Sequence, residues 1–263
     1  QPGGRRDQEA EGALRELMTD ETLEKKLREA RRKPKRFYKT ATAGETPDGW
    51  VVLLDGRALR SPMKQPVILP SAALAEALAE EWDAQSEEID AAAMPLTALA
   101  CTALDRAGPQ RRDLEAQLLA YGGNDLLCYW AEHPENLIER QRAVWQPVLD
   151  WCKDRYGAEM NVVAGILPCE QPPESREALA RAVADLDAFR LAALSTAVGV
   201  SGSLLIALAL VEGHLDAEAA FEAAELDASH QIELWGEDFE ASVRREAVMR
   251  DLRAVAQFLH LLK

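Results

Sequence analysis

The chain has 263 residues, 48% of them hydrophobic and 29% charged, which fits a soluble globular protein of one large or two small domains and excludes a fibrous or disordered one. A formal net charge of −15 repels phosphate backbones and anionic lipid, so nucleic acid and membrane surfaces are poor partners. The charge is uneven: residues 1–39 hold 12 Lys and Arg against 8 Asp and Glu, a local +4 that leaves −19 on the remainder.

Residues 1–33 read as a charged N-terminal helix or tail, weakly amphipathic, with Leu14, Leu17 and Met18 on one side and Pro34 ending it. The acids among its arginines argue against a transit peptide, which favours a bacterial cytoplasm over a mitochondrial matrix. The basic run RRKPKR at 31–36 reads as a solvated lead-in, with contact to an acidic partner as the alternative. Residues 36–44 and 49–62 are then rich in β-branched and aromatic residues between turn formers. Asp55-Gly56 between two apolar runs is a hairpin signal, because a type I′ turn needs positive φ at both central positions. That turn puts Val52, Leu54 and Leu59 on one face and Val51, Leu53 and Ala58 on the other. A further short strand is expected at 65–70.

Ser71 is placed to cap a helix whose Leu74, Leu78 and Trp82 recur every four residues. Helices follow over 94–107, with Pro95 in the first turn, over 111–134 as one or two pieces punctuated by Gly122-Gly123, and over 135–157 on either side of Pro147. After ILPCEQPPES at 166–175 the pattern is helix upon helix to Lys263. The 21 uncharged residues 191–211 approach membrane-spanning length. Gly199, Ser201, Gly202 and Ser203 at their centre, and the lack of cationic or aromatic flanks, favour two short buried helices joined by a glycine turn. The fold class is therefore α+β: a β-rich N-terminal domain over 34–93, ending in a helix, and an all-helical domain over 94–263.

The search for chemistry is mostly negative. Neither a Gly-rich phosphate cradle nor a G-x-S-x-G elbow is present. Cys101, Cys128, Cys152 and Cys169 lack zinc spacing and read as reduced core residues, so no metal and no cofactor is expected. His133, His214, His230 and His260 are isolated; His260 reads as partly buried helix packing. Acid pairs such as Glu80-Glu81 and Glu87-Glu88 read as solvated helix faces.

One stretch, HQIELWGEDFE at 230–240, combines Trp235-Gly236 with four acids and no Lys or Arg. If 224–240 is helical, Gln231, Trp235 and Asp238 share a face and Glu233 and Glu237 form a like-charged i,i+4 pair, a small local penalty to which Gly236 adds. Trp235 as a core anchor with acids facing water is one reading. The other is a recognition surface on which Trp235 packs against a partner while Glu233, Glu237 and Asp238 face its cations.

In order along the chain, KRFYKTATAG, GWVVLLDGRALRSPMKQPVILPS, LAEALAEEWDAQ, AAAMPLTALACTALD, YGGNDLLCYWAEHPENLIERQRAVWQPVLDW and QIELWGED resemble the assembly chaperones of the F-type ATP synthase alpha subunit. The likeness runs from about Pro34 to the end, with Gln146 where that family has Asp and Trp130 where it has Arg. The resemblance implies a non-enzymatic, monomeric chaperone that holds the free alpha subunit until a beta subunit replaces it. It also implies a role for acids of the helical domain, Glu233 first. Trp235, Glu237 and Asp238 extend that site on the physical grounds above. A hydrolase whose His and carboxylates meet only in the fold is the alternative, and it requires a concave pocket with shifted acids.

Overall fold

The computed structural model describes residues 33–263; the helix or tail expected over 1–33 lies outside them apart from Lys33. The described residues fall in two units. The smaller contains 33–37 and 85–90, which pair as extended segments. Arg36 N donates to Glu87 O at 2.9 Å, Ile89 N donates to Pro34 O at 2.8 Å, and Lys35 bridges Glu88. Lys33 forms an ion pair with Asp90 at 2.6 Å, and the Arg36 guanidinium donates to Gln85 O. Within the described part of the basic run, Lys33 and Lys35 are exposed, as a solvated lead-in requires, while Lys33 and Arg36 also make these contacts within the chain. Glu87 and Glu88 also lie outside any helix, where the sequence pattern put them on one.

The larger unit, 38–84 with 91–263, opens on an antiparallel sheet in the order β1-β2-β3, formed by Ala41–Thr46, Gly49–Leu54 and Arg57–Ala58. Leu54 pairs with Arg57 across the expected tight turn, with φ of 47° at Asp55 and 80° at Gly56. The Asp55 carboxylate accepts from Thr40 N at 2.9 Å and Lys39 N at 3.0 Å, and these donors hold its carboxyl below the usual range. Val52, Leu54 and Leu59, expected on one face, are buried, as is Val51 on the other, and Leu69 returns to pair with Trp50. Helix α1, Ala72–Asp83, covers β1 and β2. Ser71 Oγ accepts from Leu74 N at 3.2 Å and donates to Leu261 O at 2.5 Å, capping the first turn of one helix and satisfying a carbonyl in the last turn of another.

The helical part comprises α2 (Pro95–Thr102, continued by a wider π turn over Ala103–Ala107), α3 (Arg111–Gly123), α4 (Glu135–Tyr156), α5 (Pro173–Ala184), α6 (Ala188–Ser201), α7 (Leu204–Val211), α8 (Ala217–Ala224), α9 (Leu226–Trp235) and α10 (Phe239–Leu261). Pro147 sits inside α4 without dividing it, and Gly157 ends that helix with φ 74°. After Gly123 the chain makes a 3-10 turn at Leu126–Cys128 and then β4 (Tyr129–Trp130), which pairs in parallel with β5 (Val163–Ala164); of the one or two helical pieces expected over 111–134, one forms. Both short strands interrupt what the pattern presented as purely helical. Residues 191–211 form two helices that turn at Gly202, and no described helix is long and apolar enough to cross a membrane.

Every side chain of α7 is buried, and α3, α4, α6, α8 and α10 pack around it. Gly122 permits the approach of α3, since a Cβ there would stand 3.0 Å from Leu204 and 3.4 Å from Leu179. The N-terminus of α7 is closed by the fully buried Asp125, which accepts from Ser203 Oγ at 2.7 Å, Leu204 N at 2.8 Å, Leu205 N at 3.2 Å and Leu127 N at 3.2 Å. Glu81 does the same for α2, accepting from Leu96 N at 2.7 Å and Thr97 N at 2.8 Å. Its burial raises its carboxyl above the usual range, and the solvated face expected for it is wrong because α2 has no cap of its own.

Burial pushes the Asp125 carboxyl up to about 6 against the pull of its donors. Its folded value thus lies above the unfolded one, so the cost of the buried charge is complete above pH 6 and is relieved as pH falls toward 4. Relative to Asp125→Asn, the wild type should gain on the order of 2 kcal/mol of unfolding free energy between pH 7 and pH 4, measured by urea titration. Asp125→Ala should lose about 3 kcal/mol or more at pH 7, because it strands buried donors.

Candidate docking surface at the end of helix α9

Helix α9 stops at Trp235 because Gly236 adopts φ 85° and ψ 160°, a conformation open to glycine alone. Asp238 then caps α10, accepting from Ala241 N at 2.8 Å. The single helix considered over 224–240 is therefore two, and Gln231, Trp235 and Asp238 do not share a helical face. Glu233 and Glu237 are separated by the break, and each has its own cation. Glu233 pairs with Arg140 of α4 at 2.7 Å, and that hydrogen bond holds its carboxyl below the usual range. Glu237 pairs with Arg245 of α10 at 3.3 Å. The like-charge penalty inferred from spacing is thus removed by residues the local pattern could not reveal.

Trp235 is 82% exposed, so it is no core anchor, and Phe239 across the break is equally exposed. Leu234 and Val243 are exposed beside them. Four large apolar side chains stand in solvent within ten residues of sequence, interleaved with Glu233, Glu237 and Asp238, and this is the candidate patch. Burying such a ring in a partner is worth roughly 1.5–3 kcal/mol.

The patch stands on a fixed base. Glu225, buried between α8 and α9, takes Arg244 at 2.5 Å and Arg245 at 3.2 Å, and the Arg245 guanidinium lies 5.0 Å from the centre of the Phe221 ring. From α4, buried Gln141 donates to Asp227 Oδ1 at 2.8 Å, and buried Trp145 donates to Ala223 O at 2.8 Å. Sequence reasoning missed Arg140, Glu225, Arg245, Phe239 and Val243. The two aromatic and aliphatic members sat in view at 239 and 243, but their exposure depends on where α10 begins. The arginine partners lie up to 93 positions away and leave no local signal.

Asp125 and Glu81 cap helices, and the ring nitrogens of buried His230 make no hydrogen bond. His214 stacks on Trp151 with centroids 4.9 Å apart, and His260 is exposed rather than packed. No described group of His, Cys, Asp and Glu could hold a metal ion. The described cysteines are free thiols, and burial pushes Cys101 up to about 11 and Cys128 up to about 12, so neither is a thiolate at neutral pH. An open groove of about 730 Å³ runs beside the patch along α10, lined by Phe221, Glu237, Arg245 and Met249 among others.

Residues 35–153 match the model of the ATP12 chaperone protein family. Over the whole fold, the crystal structure of Atp12 from Paracoccus denitrificans is 40% identical, with a TM-score of 0.82, covering 88% of this chain and 99% of that one. The structure of the Atu1473 protein from Agrobacterium tumefaciens is 41% identical, with a TM-score of 0.82, covering 88% of this chain and 87% of that one. Protein atp12, mitochondrial, of Schizosaccharomyces pombe is 27% identical over 215 residues, covering 77% of this chain and 74% of that one.

The base of the patch can be tested without a partner. Glu225→Ala removes the buried carboxylate that Arg244 and Arg245 share, leaving Arg245 only its longer pair with Glu237, and should cost about 3 kcal/mol in urea unfolding. The same variant should speed hydrogen exchange of the amides at 236–241 at temperatures well below its melting point, because Arg245 also holds Glu237 at the turn.

Proposed function

The chain belongs to the ATP12 chaperone family, and from that premise we propose that it serves assembly of the F-type ATP synthase by docking the free alpha subunit of the catalytic head on the Trp235 patch. The resemblance of its ordered motifs to that group of assembly chaperones supplies the client. The observation that carries the site is the exposure of Trp235, Leu234, Phe239 and Val243 on a rigid base within an acidic border.

In this reading the apolar side chains cover interface surface on the alpha subunit that would otherwise aggregate. Glu233, Glu237 and Asp238 select a client surface bordered by Lys or Arg and set its orientation. Release comes from displacement by the beta subunit rather than from nucleotide hydrolysis. Moderate affinity suits that exchange: exposed ion pairs add only about 0–1 kcal/mol each, so a few apolar contacts carry the binding. The chaperone acts as a monomer, in a bacterial cytoplasm, or in the mitochondrial matrix if the source is eukaryotic.

Binding of purified chain to isolated alpha subunit tests this. Trp235→Ala should raise Kd about 30-fold, and Glu233→Lys about tenfold, with unchanged circular dichroism. Raising salt from about 50 to 300 mM should weaken the wild type and have less effect on Glu233→Lys. If both variants bind as the wild type does, the patch is not the docking site.

A further inference from the structure

The chain between α4 and α5 closes into a loop over residues 161–171. The side-chain amide of Gln171, itself buried, meets the backbone of Asn161 twice, accepting from Asn161 N at 2.8 Å and donating to Asn161 O at 3.1 Å. One side chain thereby imitates a strand pair. Asn161 Nδ2 donates to Glu170 O at 2.9 Å, and on the other side β5 is held by β4, with Gly165 N donating to Trp130 O at 2.8 Å. The stem is pinned, yet the tip presents Ile166 at 94% and Leu167 at 76% exposure. Adjacent aliphatic residues held out on a clamped stem are unburied apolar area in a fixed position.

This loop and the Trp235 patch are tied to the same end of α4. A Cβ on Gly165 would stand 3.3 Å from the Glu132 carboxyl carbon. Ala131 N donates to Gln141 Oε1 at 2.8 Å, Gln141 reaches Asp227 of α9, and neighbouring Arg140 holds Glu233. A short relay of hydrogen bonds therefore links the β4–β5 ribbon to the helix that carries Trp235. Exposed acids, Glu132, Glu135 and Glu139, run along this end of α4, with Glu170 at the loop base. That charge disfavours an anionic lipid surface, and it disfavours a second copy of the chain, which would bring the same acids.

We propose that the 161–171 loop is a second docking element for the client, seating Ile166 and Leu167 in an apolar pocket of the alpha subunit bordered by Lys or Arg while Trp235 engages a separate point. The proposal rests on the docking function above and makes the contact two-pronged. Two modest contacts on one rigid body bind together more tightly than either alone, and each can be displaced in turn.

The test compares full-length wild type, the Ile166→Ser/Leu167→Ser double variant and Trp235→Ala for binding to isolated alpha subunit. Both positions are solvent-exposed, so the double variant should keep the wild-type Tm. Its Kd should rise about tenfold. In the wild type, amides of 162–167 should gain hydrogen-exchange protection when alpha subunit is added. An unchanged Kd and unchanged exchange, beside a weakened Trp235→Ala, overturn the loop and leave the patch. Failure of the wild type to bind overturns both. Concentration-dependent self-association of the wild type alone, lost in the double variant, assigns the loop to a second copy and overturns the proposal.

Discussion

A helix buried on every side must satisfy its first amide groups without water, and this constraint organises the larger unit. In α7 the orphan N–H groups of Leu204, Leu205 and Ile206 are met by Asp125 and Ser203, two side chains with no measurable exposure. Asp125 comes from the turn after α3, so capping α7 also fixes where β4 and α4 start. α4 then supplies Trp145 to α8, Gln141 to α9 and Arg140 to Glu233. The proposed docking patch is in this sense the far end of a chain of polar contacts that begins at a buried carboxylate. Hydrophobic burial drives the collapse, but the placement of α9 relative to α4 is decided by these directional bonds.

Much of the frame was legible because it depends on local chemistry. The Asp55-Gly56 turn, the Ser71 cap and the glycine turn between α6 and α7 all follow from residues within a few positions of one another. The places where the pattern misled are those where a remote side chain acts. Glu81 looks like one of a solvated pair until α2, lacking its own cap, takes it as an acceptor. Residues 126–130 carry helix-compatible composition, yet Asp125 is committed to α7, and a chain leaving that carboxylate cannot continue α3.

The site divides in the same way. That Trp235 and the acids around it are unusual was visible in eleven residues of sequence. That they are presented rather than buried was not, because exposure depends on Gly236 taking a conformation that ends α9 with the ring in solvent. Glycine at that position reads as a helix penalty in sequence and as a hinge point between α9 and α10 in the fold. The partners of the acids were invisible, since Arg140 and Arg245 reach them through tertiary packing.

Those internal arginines also set how the electrostatics can contribute. A client cation approaching Glu233 or Glu237 meets a carboxylate already paired, so it must share with or displace Arg140 or Arg245. The gain per client charge is then smaller than for a free carboxylate, already only about 0–1 kcal/mol at an exposed site. In the proposed docking, affinity would therefore come chiefly from apolar area, and charge would serve to reject surfaces of the wrong sign and to orient the right one. A preformed pair has a second consequence. The acids are held in one geometry before the client arrives, so little side-chain entropy is lost on docking. Arg140 and Arg245 thus keep the patch ordered and its charge contribution small, the balance expected of a chaperone that must hold its client and then let it go.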